Sequence, residues 1–163
     1  MRVAIASDHA GFIQKQPLVD FMTNEMGIEV VDLGPETEDR VDYPDYAEKV
    51  ARMVASGEVD RGVLVCGTGI GMAIAADKIA GVRASSITTP DFADLFRRHN
   101  DGNVVCLSGR FVDVDVNKDI IKVFLTSEFE GGRHAQRVAK MMKLDSTGKT
   151  LEGQKPRVMP LNR

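Results

Sequence analysis

Residues 62–72 read Gly-Val-Leu-Val-Cys-Gly-Thr-Gly-Ile-Gly-Met, an apolar run that ends in a thiol and passes into glycines at alternate positions. The run is short, β-branched and apolar on both faces, as a buried parallel strand is. The last glycine opens a stretch of helical character, Gly71–Lys78. Strand, glycine turn and helix in that order make one half of a β-α-β unit.

The same alternation runs outward in both directions. Candidate strands are Arg2–Ser7, Ile28–Asp32, Gly62–Cys66, Val82–Ile87 and Asn103–Ser108. Between and after them lie candidate helices at Ile13–Met26, Asp45–Ala55, Gly71–Lys78, Asp91–Arg98, Val114–Leu125 and Arg133–Met142. Pro17 predicts a break after the first turn of the first helix, with a restart near it. Tyr46, Val50 and Val54 recur at helical spacing, and Thr89-Pro90-Asp91 reads as an N-cap with proline at the first helical position. The expected fold is a three-layer α/β/α Rossmann-like sandwich with a mainly parallel sheet of about five strands. One domain is expected over residues 1–143. Residues 144–163, rich in Gly, Pro, Ser, Thr and Lys, are expected to form an extended or mobile C-terminal tail.

Composition bounds the function. The 163 residues are 43% hydrophobic and 28% charged, the balance of a folded domain rather than a disordered chain. No apolar run approaches the roughly 20 residues of a membrane span, and the first residues lack a secretory apolar core. Lys and Arg number 21 against 24 Asp and Glu, so no basic excess points to nucleic acid. Cys66 and Cys106 are too few for a disulfide framework, and a cytoplasmic location is expected.

Ligands of open parallel sheets bind beyond the carboxyl ends of the strands. There the chain carries Ser7-Asp8-His9-Ala10-Gly11 and Cys66-Gly67-Thr68-Gly69-Ile70-Gly71. Successive N–H groups at a helix start can form an anion nest. The glycine pattern is neither a dinucleotide fingerprint nor a P-loop. A thiolate beside such donors, favoured by the helix N-terminus, can take a proton next to a carbonyl while the donors hold the enediolate oxygen. Judged alone, Cys66 fits a buried strand end equally well, and Cys106, inside Val104–Leu107, reads as core. His99 reads as a cation at a helix C-terminus. Arg133 and Arg137 share a helix face and can converge on a phosphate, or belong with Lys140 to a solvated basic face. No His, Cys or Asp group shows metal-ligand spacing, so neither metal nor cofactor is expected.

Several segments together resemble one family: Ser7-Asp8-His9-Ala10-Gly11-Phe12, Val41-Asp42-Tyr43-Pro44-Asp45-Tyr46, Cys66–Met72, Arg98-His99-Asn100 and Glu128–His134. In collinear order from Met1 to about Lys143, they are similar to the type B ribose-5-phosphate isomerases. That family's wider circle includes galactose-6-phosphate isomerase subunits and allose-6-phosphate isomerase. The resemblance implies interconversion of ribose 5-phosphate and ribulose 5-phosphate through a cis-enediol, without metal or cofactor. It also implies a homodimer or dimer of dimers with shared active sites.

By the same resemblance Cys66 is the base, and Thr68 with the backbone of Gly67, Gly69, Ile70 and Gly71 holds the oxyanion. His99 opens the sugar ring, aided by Asp8. His9, Arg133 and Arg137 bind phosphate, and Tyr43, Asn100 and Arg110 line the pocket. A six-carbon sugar phosphate is the alternative substrate, and a non-catalytic phosphosugar-binding module is the alternative class. That module would lack the base or the ring-opening group, and both are present. Ser85–Phe96 (Ser-Ser-Ile-Thr-Thr-Pro-Asp-Phe-Ala-Asp-Leu-Phe) departs from the family pattern where the chain enters the His99 helix, and so bears on substrate choice.

Overall fold

A computed structural model describes residues 1–147 of the chain. Its strands are β1 (Arg2–Ser7), β2 (Glu29–Asp32), β3 (Arg61–Cys66), β4 (Ala84–Ser86) and β5 (Val104–Ser108). Its helices are α1 (Phe12–Asp20), α2 (Tyr43–Ser56), α3 (Ile70–Ala76), α4 (Pro90–Asn100), α5 (Val114–Thr126) and α6 (Arg133–Thr147). The strands form one sheet in the order β2-β1-β3-β5-β4, and every pair is parallel. The expected α/β/α sandwich is the observed one.

Side-chain alternation along the strands separates two cores. Val3, Ile5, Val63, Val65, Val105 and Leu107 pack with α1, α4 and α5. Ala4, Ala6, Leu64, Cys66, Val104 and Cys106 pack with α2 and α3. The second face is built of smaller residues, which lets α2 lie close to the sheet. A Cβ on Gly62 would come within 2.6 Å of Val50 Cγ1.

Two expectations change. Pro17 does not break α1, which runs through it to Asp20. Proline removes the donor for the Ile13 carbonyl, but both residues face solvent, where water can replace it. The chain then widens into a single π-helical turn, Phe21–Glu25, with Met26 N–H bonding to the Phe21 carbonyl at 3.2 Å. The boundary expected at residue 143 falls inside α6, which continues to Thr147. Asp145 Oδ2 there accepts a hydrogen bond from Gly81 N–H at 2.8 Å. The rest of the expected tail, residues 148–163, lies outside the described residues.

β1 connects outward to β2 on one side, and β3 leads to β5 and β4 on the other. The strand order therefore reverses between β1 and β3, the crevice where such sheets hold ligands. The chain leaves β1 through Asp8, whose Oδ1 accepts the N–H groups of Ala10 and Gly11 at 2.8 and 3.0 Å. Gly11 is pressed on the end of β3, and a Cβ there would meet the Val65 carbonyl oxygen at 2.4 Å. Gly11→Ala should therefore lower stability by about 1–3 kcal/mol, read as a fall in urea midpoint with unchanged slope. An unchanged midpoint would show that the crevice wall yields freely.

Candidate active site

β3 is buried along its length and delivers Cys66 to the crevice with 5% of its surface exposed. Beyond it the chain turns sharply. Gly69 adopts φ 78°, a left-handed conformation that costs glycine least. That turn points Gly69 N–H at Cys66 Sγ, 3.1 Å away. The sulfur thus accepts a backbone hydrogen bond at the start of α3. Thr68 Oγ1 accepts the Ile70 N–H at 3.3 Å, leaving its hydroxyl proton free to face a ligand.

Neighbouring elements brace this loop. The Gly109 N–H bonds the Cys66 carbonyl at 2.7 Å, and Ser108 Oγ donates to the Gly67 carbonyl at 2.8 Å. Ser86 Oγ donates to the Thr68 carbonyl at 3.1 Å. Ser86 lies in the stretch that departs from the family pattern, and this bond is the structural role that the sequence reading missed. Tyr43, at the first position of α2, lays its ring against Gly71, where a Cβ would meet ring atoms at 2.9 Å. Arg110 runs along Gly67, with Cδ 3.5 Å from the position of a Cβ. His9 follows Asp8 on the β1 side, and its Nδ1 is buried without a hydrogen-bond partner. Asp8, His9, Tyr43, Cys66, Gly67, Thr68, Gly69, Ile70, Gly71 and Arg110 therefore belong to the carboxyl end of the sheet.

His99, Asn100, Arg133 and Arg137 do not join them within one chain. α4 starts after the carboxyl end of β4 and runs back for 11 residues, about 16 Å. It ends where the chain enters β5, with Asn103 carbonyl bonded to the N–H of Gly62 near the start of β3. His99 and Asn100 thus sit toward the amino end of the sheet. There α6 meets them: the His99 and His134 rings stack with centroids 4.2 Å apart. Arg133 and Arg137, one turn apart on α6, both bring positive charge to His134.

Electrostatics follow these neighbourhoods. Burial pushes the Cys106 thiol well above its ordinary range, with the nearby Cys66 adding to the shift, so Cys106 is inert core as expected. Hydrogen bonding to Arg98 holds the Glu130 carboxyl below its usual value. Burial first, then the charges of His99 and Arg133, lower His134. The sequence showed no metal-ligand spacing, yet folding brings one donor atom each of His99, Glu130 and His134 within 4.8 Å of one another. The two imidazoles are 5° from parallel, so their lone pairs run side by side rather than converging on one ion.

Comparisons with known proteins agree with this architecture. The Ribose/Galactose Isomerase family matches residues 3–141. Ribose-5-phosphate isomerase B of Escherichia coli is 47% identical over 84% of this chain and 91% of its own. The structure of Clostridium thermocellum ribose-5-phosphate isomerase B superposes with a TM-score of 0.89 at 44% identity, covering 91% of this chain and 100% of that one. The Mycoplasma genitalium structure, described with bound ribulose-5-phosphate, gives a TM-score of 0.85 at 40% identity over 91% of this chain and 97% of its own. A family match over most of the chain, high identity and a shared overall fold lead to one conclusion: the chain belongs to the ribose/galactose isomerase family.

Proposed function

We propose that this protein interconverts ribose 5-phosphate and ribulose 5-phosphate, with Cys66 as the base. The observation that carries the mechanism is the 3.1 Å hydrogen bond from Gly69 N–H to Cys66 Sγ at the switch point of the sheet. It seats the sulfur beside a backbone donor where a carbonyl compound would enter. The thiolate takes the proton from C2 of the open-chain aldose and the carbonyl oxygen at C1 gathers the charge. The C1 oxygen takes up a proton and the C2 hydroxyl gives one up, and Cys66 returns its proton to C1 as the C2 oxygen becomes the carbonyl, so atoms balance without an external oxidant. Thr68 and the N–H groups of Gly67 and Gly71 hold the oxyanion, while the Gly69 N–H stays on the sulfur. The five-carbon choice is supported by the relatives that carry that activity in their names and by the ribulose-5-phosphate of the Mycoplasma genitalium structure.

The remaining groups fall at the other end of the same sheet, and this favours a site shared between two copies of the chain. In this reading a second copy brings His99 to open the ring and Arg133 and Arg137 to grip phosphate, opposite Asp8, His9 and Cys66 of the first. Asn100 and Arg110 complete the pocket from either side. Among the described residues no helix is long and apolar enough to cross a membrane. A base that works as a free thiolate suits a reducing compartment, for which we propose the cytoplasm.

Purified protein should turn over ribose 5-phosphate with a kcat/KM well above those for allose 6-phosphate and galactose 6-phosphate. Cys66→Ala should lose about 10²-fold or more in kcat; full rate in that variant removes Cys66 from the mechanism. Mixed, refolded Cys66→Ala and His99→Asn chains should regain about a quarter of wild-type activity. Half of the pairs are then mixed, and each restores one of two sites. No recovery over the separate variants would place both residues in one chain's site.

A further inference from the structure

His99 does not stand alone at its end of the sheet. Its ring lies face to face with that of His134, which is 6% exposed. One oxygen of a single carboxylate, Glu130 Oε2, lies 3.8 Å from His99 Nε2 and 3.6 Å from His134 Nε2. Its other oxygen, Oε1, is held by Arg98 Nη2. Arg98 is itself fixed by Asp94 through a 3.0 Å bond, and the Glu130 N–H bonds the Arg98 carbonyl at 3.1 Å. The carboxylate therefore has little freedom to turn away from the two imidazoles.

The hydrogen-bond pattern says which ring carries the proton. Arg133 Nε–H donates to His134 Nε2 at 3.3 Å. A guanidinium can only donate, so His134 Nε2 offers a lone pair and the proton of that ring is on Nδ1. Two stacked imidazolium ions would also set like charges in contact beside Arg133 and Arg137. The charged groups around the stacked pair are Asp94 from α4 and Glu130 from the α5–α6 connection, which face His99, and Arg133 and Arg137 from α6, which face His134. His134, with its acceptor nitrogen on Arg133, is the neutral partner of the stack, and His99, the more exposed ring, is the one a sugar can reach. The lowering of His134 by burial points the same way.

We infer that Glu130 and His134 are positioning residues for His99, fixing the plane of its ring and holding a carboxylate beside the imidazole that gives its proton to the sugar. The inference rests on the isomerase reading, in which His99 opens the sugar. Opening the furanose breaks the C1–O4 bond; O4 gains a proton and the C1 hydroxyl loses one. An imidazolium held in place supplies the first of these, and an imidazole turned or deprotonated cannot. Through Arg133, which touches His134, the phosphate grip and the ring-opening acid become parts of one network.

The test separates ring opening from proton transfer. Ribulose 5-phosphate has its C5 oxygen esterified, so it cannot close a five-membered ring on C2 and is open-chain. Solvent-deuterium exchange at C1 of ribulose 5-phosphate therefore needs Cys66 and not ring opening. Glu130→Gln, and separately His134→Gln, which keeps an acceptor for Arg133, should lose about tenfold or more in kcat on ribose 5-phosphate. Their C1 exchange should stay within about twofold of wild type, because the Cys66 site is untouched. Turnover that stays at the wild-type rate, or exchange that falls in step with turnover, overturns the positioning role. Wild type without C1 exchange would overturn the isomerase reading itself.

Discussion

The left-handed turn at Gly69 is the constraint on which the rest of this site depends. A Cβ there would lie 2.8 Å from Ser86 Oγ and 2.9 Å from the Cys106 carbonyl oxygen, in addition to the strain of φ 78°. Only a glycine lets the chain close over the ends of β3 and β5 and still return an N–H to the sulfur it has just passed. The two flanking strands are rigid because both faces of the sheet are packed. The donors of the site are thereby backbone groups held by a scaffold, and the side chain proposed as the base has only to sit at the end of its strand.

How far the sequence could be read follows from how local each feature is. β1 is found at its expected limits, Arg2–Ser7, because one alternating apolar run defines it. β4 shrinks from Val82–Ile87 to Ala84–Ser86. Val82 is taken into a turn with Ile79, and Arg83 bonds the Asn103 side chain, neither of which shows in a window of neighbours. Pro17 predicted a break that solvent exposure made unnecessary. Cys66 was legible because strand, thiol and glycines are contiguous. The cluster around His99 was not, since Glu130 and His134 reach it from beyond α5, more than 30 positions later, and look like a charged helix start.

The division of polar residues between the two ends of the sheet reflects a general property of α/β domains. Each helix that packs antiparallel to a strand carries whatever its last turn presents to the far end. α4 does this with Arg97, Arg98 and His99 in its last turn, and Arg97 and Arg83 both pair with Asp101 there. One end of the domain is therefore a set of backbone donors around a cysteine, and the other a set of fixed cations and imidazoles. The two are chemically complementary and, in the proposed assembly, meet across copies.

The π-helical turn at Phe21–Glu25 has a consequence for how chains of this kind can change length. It carries one residue more per turn than the α-helix it continues, while Phe21 and Met22 both stay in the core. Loss of a single residue there would restore α-helical spacing before Gly27 and leave β2 in its register beside β1. The far side of the domain from the crevice thus holds a place where an insertion or deletion can be absorbed without disturbing the catalytic face.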